Sequence, residues 1–205
     1  MKKTLLLLIT LLFVTEFLFG QFTLGVRAGY NANKLTTDLS SIKSQFSNGF
    51  HVGVFSRVGK RVYFAPELIY TFSGGKFSNE GAPQDSTWNQ KVTVGTLDIP
   101  LLLGFKIINS MLLKWRVELG PVASFVVNKK ITNANDFIGP IKNADINTAN
   151  WLIMVGTGID ILFFTLDIRY QYAFNSLIQN IPNYSFNTHN NFVIVSLGFK
   201  FIGNK

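Results

Sequence analysis

The ten residues FTLDIRYQYA, Phe164 to Ala173, decide how the rest of the chain is read. Phe164, Leu166, Ile168, Tyr170 and Tyr172 alternate with Thr165, Asp167, Arg169 and Gln171. Successive side chains of a β-strand point to opposite faces, so this segment carries one apolar and one polar, charged face. A helix would scatter both sets around its circumference. The segment is a strand with two unlike environments.

The same period returns along the chain, giving eight strands. The other seven are Phe22 to Asn31, Gly49 to Val58, Arg61 to Phe72, Gln90 to Phe105, Leu113 to Val127, Trp151 to Ile161 and Asn191 to Phe201. Phe192 and Ile194 break the alternation by standing on the polar side of the last. Short links fall at Gly59-Lys60, at Asn109-Ser110 and at Ile161 to Phe163. The others are long and rich in Asn, Ser, Thr and Gly: Ala32 to Asn48, Ser73 to Asn89, Asn128 to Asn150 and Phe174 to Asn190. Strict alternation of short and long links makes an up-and-down meander with every long loop at one end.

Which face points inward decides between a soluble barrel and a membrane one. A soluble barrel needs dense Lys and Glu on its outside. Here charged residues are 15% of the chain, while the polar face is rich in Gly, Ser and Thr. Small residues suit the inside of an eight-stranded barrel, which is only wide enough to be filled by side chains. The other face carries Phe72, Tyr70, Tyr172, Trp115 and Trp151 toward the strand ends, where interfacial aromatic girdles lie. The expectation is an all-β fold: an eight-stranded antiparallel up-and-down transmembrane β-barrel. Pro100, which cannot donate to a ladder, is expected at a bulge or bend.

The start of the chain fits an exported protein. Lys2 and Lys3 precede an apolar run from Leu5 to Val14, and Gly20 precedes Gln21. Residues 1–20 read as a signal peptide and residues 21–205 as the barrel domain. With no cysteine there is neither lipid attachment through a thiol nor a thiolate metal site. The formal charge of +8 would suit a nucleic-acid partner, but an export signal argues against one. Many cations fall near the short-turn end, among them Lys60, Arg61, Lys106, Lys114 and Lys200, where a solvated rim beside lipid phosphates is expected.

Five segments carry a family resemblance. LGVRAGYNANKL (Leu24 to Leu35), LDIPLLLGFK (Leu97 to Lys106), VELGPVASF (Val117 to Phe125), GTGIDI (Gly156 to Ile161) and LDIRYQYAF (Leu166 to Phe174) resemble, in order, strands of PorT-like outer-membrane β-barrel proteins. The resemblance implies a barrel in the outer membrane of a Gram-negative bacterium. For some members it also implies a part in protein secretion.

The residues point to no catalytic, cofactor-binding or metal-binding group. His51 and His189 lack ligand spacing, and Ser176 or Ser185 near His189 makes no recognisable triad. Gly156-Thr157-Gly158 lacks the Lys and helix of a phosphate loop. The inward charges form the candidate site: Arg27, Arg57, Arg61, Glu67, Asp98, Arg116, Glu118, Asp160, Asp167 and Arg169. Buried charges need partners, so a lumen network is expected, with Asp98, Glu118 and Asp167 set against Arg27, Arg116 and Arg169. In the last loop Ile178, Ile181, Pro182, Tyr184 and Phe186 are the candidate contact residues. Three roles stay open: a structural or accessory envelope barrel acting through its loops, a component of a secretion or surface-assembly apparatus, and a narrow channel or small-molecule binder.

Overall fold

The computed structural model describes residues 21–37, 42–45, 48–79, 89–133, 148–174 and 188–202. They form β1 (Phe22–Thr37), β2 (Ile42–Gln45), β3 (Asn48–Gly59), β4 (Val62–Asn79), β5 (Asn89–Asn109), β6 (Leu113–Asn133), β7 (Ala149–Ile161), β8 (Phe164–Ala173) and β9 (Thr188–Ile202). Leaving β2 aside, the strands pair antiparallel with their sequence neighbours, and β1 pairs with β9. The result is a closed eight-stranded antiparallel barrel.

Closure fixes the lean of the strands. Partners followed around the ring run Phe22, Val58, Phe64, Leu103, Leu119, Val155, Tyr170, Val193 and back to β1 at Ala32. That return, from position 22 to position 32, is the stagger that sets tilt and interior width. Two-residue turns, Lys60-Arg61 and Leu162-Phe163, join β3 to β4 and β7 to β8. Gly59 adopts a φ of 131° at the first turn. A Cβ there would meet Cα of Tyr63 at 2.7 Å, so this corner requires glycine. Between β5 and β6, Ser110 Oγ donates to the Leu113 carbonyl at 2.6 Å and accepts from the Leu113 amide at 3.1 Å.

Alternation places the apolar faces outward. Exposed Val117 and Leu119, Val155 and Ile159, Leu166 and Ile168, and Val195 and Leu197 form a continuous apolar band. Aromatic pairs flank it at both ends. Tyr30 meets Phe50 at 5.7 Å and Tyr70 meets Phe72 at 4.7 Å toward the long-link end. Phe164 and Phe201 meet Phe199 at 5.7 and 5.6 Å toward the short turns. Trp115 Nε1 donates to Thr157 Oγ1 at 2.8 Å, which occupies the one polar atom of an exposed indole.

Three details differ from the sequence reading. First, strands reach into segments read as loops: β1 to Thr37, β4 to Asn79, β6 to Asn133. Partners such as Ser73↔Val94 and Gly74↔Thr93 continue the ladder there. Beyond the apolar band a ladder needs only backbone groups, so polar composition does not end it. Second, β2 pairs Ile42↔Asn79 through Gln45↔Lys76, a short strand within the first long link. Third, no bulge lies at Pro100. The β4–β5 partners stop at Pro66↔Leu101 and resume at Ile69↔Asp98 in unchanged register, so two prolines share one gap in the ladder. Register shifts fall instead at Gly95/Thr96 and Lys106/Ile108.

If this outer band meets hydrocarbon, a charge on it costs more at mid-height than at the rim. Val155→Arg, at the centre of β7, should destabilise the folded protein by about 2–4 kcal/mol, and Ile161→Arg by about 0–1 kcal/mol. Urea unfolding in lipid vesicles measures both. Equal, small losses would place this face in water.

Candidate functional site

Inside the barrel, Arg116 is the centre of a charge network. Its Nη1 donates to Glu118 Oε1 at 2.6 Å, its Nε to Asp160 Oδ1 at 3.2 Å, and its Nη2 to Asp167 and Thr165. Arg169 grips Glu67 with both terminal nitrogens, at 2.8 and 3.0 Å, and also reaches Glu118 Oε2 at 2.7 Å. Arg57 Nη1 donates to Asp160 Oδ2 at 2.9 Å. Tyr63 donates its hydroxyl to Glu118 Oε1 at 2.8 Å. All of these side chains are buried. Such bonds between charged groups are about twice as strong as neutral ones and hold planar groups in fixed geometry.

Strand alternation and glycine make this packing possible. Arg116 and Glu118 share the inner face of β6, as Asp167 and Arg169 share that of β8. Opposite Arg116 and Asp167 on β7 stands Gly158. A Cβ at Gly158 would lie 2.6 Å from the Arg116 guanidinium. Bulk on one strand is matched by its absence on the next.

Arg27 is held differently. Its Nη2 lies 3.1 Å from Glu67 Oε1 and 3.6 Å from Asp167 Oδ2, yet none of its guanidinium nitrogens makes a well-aligned hydrogen bond. The ring of Phe55 lies between Arg27, at 4.5 Å, and Arg57, at 4.7 Å. A π face attracts both cations and keeps them apart.

Two members of the sequence-derived set stand elsewhere. Arg61 is exposed, with its guanidinium 5.4 Å from the Phe105 ring. It belongs to the turn before β4, so strand alternation does not govern its direction. Asp98 is inside but apart from the arginines: Thr71 donates to Oδ2 at 2.7 Å and Ser124 to Oδ1. It makes no ion pair among the described residues. The register brings Thr71, Ser124 and Asp98 together near the long-link end. Ile178, Ile181, Tyr184 and Phe186 lie outside the described residues, as do residues 1–20.

Sequence reasoning missed part of the lumen. Phe55, Leu102, Val122, Leu152, Met154, Phe192 and Ile194 are buried inside, and all but Phe55 belong with Tyr63, Ala65 and Ala173 to one apolar cluster. For Phe192 and Ile194 the broken alternation was the signal. A second omission is a polar chain: Asn31 Oδ1 lies 2.7 Å from His51 Nδ1, and His51 Nε2 lies 2.9 Å from Ser196 Oγ. This is the connectivity of a hydrolytic serine–histidine pair with an orienting amide. Ser196, however, is 1% exposed, and the cavity beside it, about 10 Å³, has room for about one water. An ester does not fit there.

Toward the long-link end a cavity of about 30 Å³ is lined by Asn31, Thr71, Asp98, Ser124, Asn150 and Gln171 among others. Among the described residues no group of three His, Cys, Asp or Glu side chains could hold a metal ion.

The comparisons with known proteins agree with this architecture. A family model described as "Outer membrane protein beta-barrel domain" matches residues 17–179. The solved structure of the outer membrane protein OprG from Pseudomonas aeruginosa is similar with a TM-score of 0.52 and 12% identity, covering 89% of this chain and 96% of that one. Ail, the attachment invasion locus protein of Yersinia pestis, solved in complex with the heparin analogue sucrose octasulfate, gives 0.43 and 12%, covering 89% and 99%. Neisserial surface protein A gives 0.43 and 15%, covering 87% and 97%. Nothing among curated proteins matches the chain.

Removing one partner of a buried charge network leaves the others uncompensated. Arg116→Met should cost about 3–5 kcal/mol of folding free energy, whereas Arg61→Gln on the exposed turn should stay within about 0.5 kcal/mol. Urea titrations of the two variants in the same vesicles compare them directly. A loss below about 1 kcal/mol for Arg116→Met would mean that water, and not protein, balances these charges.

Proposed function

The chain belongs to the outer membrane protein beta-barrel domain family, and from that premise we propose that it is a closed, non-enzymatic envelope barrel that acts through its outward loops. It resides in the outer membrane, where barrels of this kind turn short links to the periplasm and long links outward. The observation that carries the reading is the way Arg116 gathers Glu118, Asp160 and Asp167 from three strands at once. Arg57 on β3 pairs with Asp160 on β7, and Arg169 on β8 with Glu67 on β4, each across the lumen. With Arg116 these side chains fill the space an aqueous path would need, which speaks against the narrow-channel role.

With the lumen occupied, variation between partners or ligands falls to the loops. Ile178, Ile181, Tyr184 and Phe186 are the most apolar group in them and the first candidates for contact. The ordered PorT-like segments, above all LDIPLLLGFK, support a narrower version in which these loops serve a protein secretion apparatus. Deleting residues 178–186 should then leave heat-modifiable folding intact.

Two measurements test the closed, non-enzymatic reading. In planar bilayers the folded protein should give no discrete conductance steps; steady single-channel openings would overturn the closed lumen. A fluorophosphonate probe should leave Ser196 unlabelled in the folded protein. Stoichiometric labelling of Ser196 that Ser196→Ala and His51→Ala both abolish would make the protein a hydrolase.

A further inference from the structure

The short-turn mouth of the lumen collects cations that the network above does not balance. Lys106 on β5, opposite Arg116, Lys114 on β6, opposite Asp160, and Lys200 on β9, beside Asp160, gather there next to Arg57 of the network. Lys114, Arg57, Lys200 and Asp160 are the charged neighbours of Lys106, and Asp160, Arg57 and Lys114 are those of Lys200. Asp160 is the one carboxylate common to both sets.

That carboxylate is already shared. Its Oδ2 takes Arg57 Nη1 at 2.9 Å and Lys200 Nζ at 3.5 Å, while Oδ1 takes Arg116 Nε at 3.2 Å. The other described carboxylates lie deeper and are engaged: Glu67 and Glu118 by Arg169, Asp167 by Arg116, Asp98 by hydroxyls. Lys106 has no ion pair or side-chain hydrogen bond among the described residues; its ammonium lies 5.6 Å from the Tyr63 ring. It is nevertheless only 7% exposed. Arg57 Nε, also buried, makes no hydrogen bond. A buried ammonium with no ion pair of its own is costly. Several cations thus surround one carboxylate that is already fully engaged.

We propose that this mouth is a binding site for a phosphate-type oxyanion, held by Lys106, Lys114 and Lys200 with Arg57 behind them. Compact ammonium groups on flexible stems suit a tetrahedral anion with several acceptor oxygens. Two sources share that chemistry: a free phosphate or phosphorylated solute in the periplasm, and a phospholipid headgroup of the adjoining leaflet. The site is independent of the loop role proposed above.

The test uses the full barrel refolded in neutral detergent micelles. Its thermal midpoint, read as the loss of the fast-migrating unboiled form, is followed against inorganic phosphate at ionic strength held constant with sodium chloride. The midpoint should rise saturably with phosphate. Half-saturation should need about tenfold more phosphate in Lys106→Gln and in Lys114→Gln. Lys60→Gln with Arg61→Gln, on the exposed turn, should respond as the parent does. Without phosphate, Lys106→Gln should melt above the parent, because it relieves repulsion. A second arm compares phosphate-free nanodiscs of phosphatidylglycerol and phosphatidylcholine. A higher midpoint in the former, lost in Lys106→Gln, assigns the headgroup as source; a response to free phosphate alone assigns a solute. No response in either arm, or a half-saturation in both lysine variants equal to the parent's, overturns the site.

Discussion

A backbone amide facing hydrocarbon has nothing outside the protein to bond, and from that constraint the rest of this structure follows. A sheet satisfies it only by closing, which the β1–β9 and β4–β5 pairings do. Closure with eight strands at this stagger leaves an interior too narrow for an aqueous channel and too wide to leave empty. Side chains of the inner face must fill it and satisfy one another. Arg116 reaching Glu118, Asp160 and Asp167 is that demand met with charge. Gly158 beside it is the same demand met with absence.

The filled interior is not uniform. Near the short turns it is cationic, above that it is a balanced network, on one side it is apolar around Leu102, Val122 and Phe192, and near the long links it is polar around Asp98. Each zone follows from which residues the stagger brings level. The network is neutralised inside the protein. The mouth is not, and so it is where an outside anion has most to offer.

Much of this was legible in the sequence because a strand writes its environment in alternate letters. Phe164–Ala173 shows a perfect exposed–buried alternation in the structure, as its residues imply. Where the reading failed, a different physical rule was in force. Arg61 has inward parity but sits in a turn, where parity has no meaning. Phe55 has inward parity on β3 and is buried between polar and charged lumen residues, with both Arg27 and Arg57 over its ring; a large apolar residue on the polar face was not read as part of the lumen filling. The ends of β1, β4 and β6 read as loops because polar residues suffice once the ladder has left the membrane. Which charges meet depends on the stagger, a property of the closed ring that no single strand carries. That is why Asp98 stands with Thr71 and Ser124 and not with the arginines. The pairing of His51 with Ser196 was hidden for the same reason, since the two are 145 positions apart.

The most direct test of the account is a lipid-quenching scan along β7, made simple by the absence of any native cysteine. Single cysteines at Leu152, Ile153, Met154 and Val155, each labelled with a small fluorophore, would be reconstituted in vesicles of brominated lipid. The account predicts strong quenching at Ile153 and Val155 and weak quenching at Leu152 and Met154. Quenching at the reverse pair, or at none, would contradict an apolar face turned to lipid around a filled lumen.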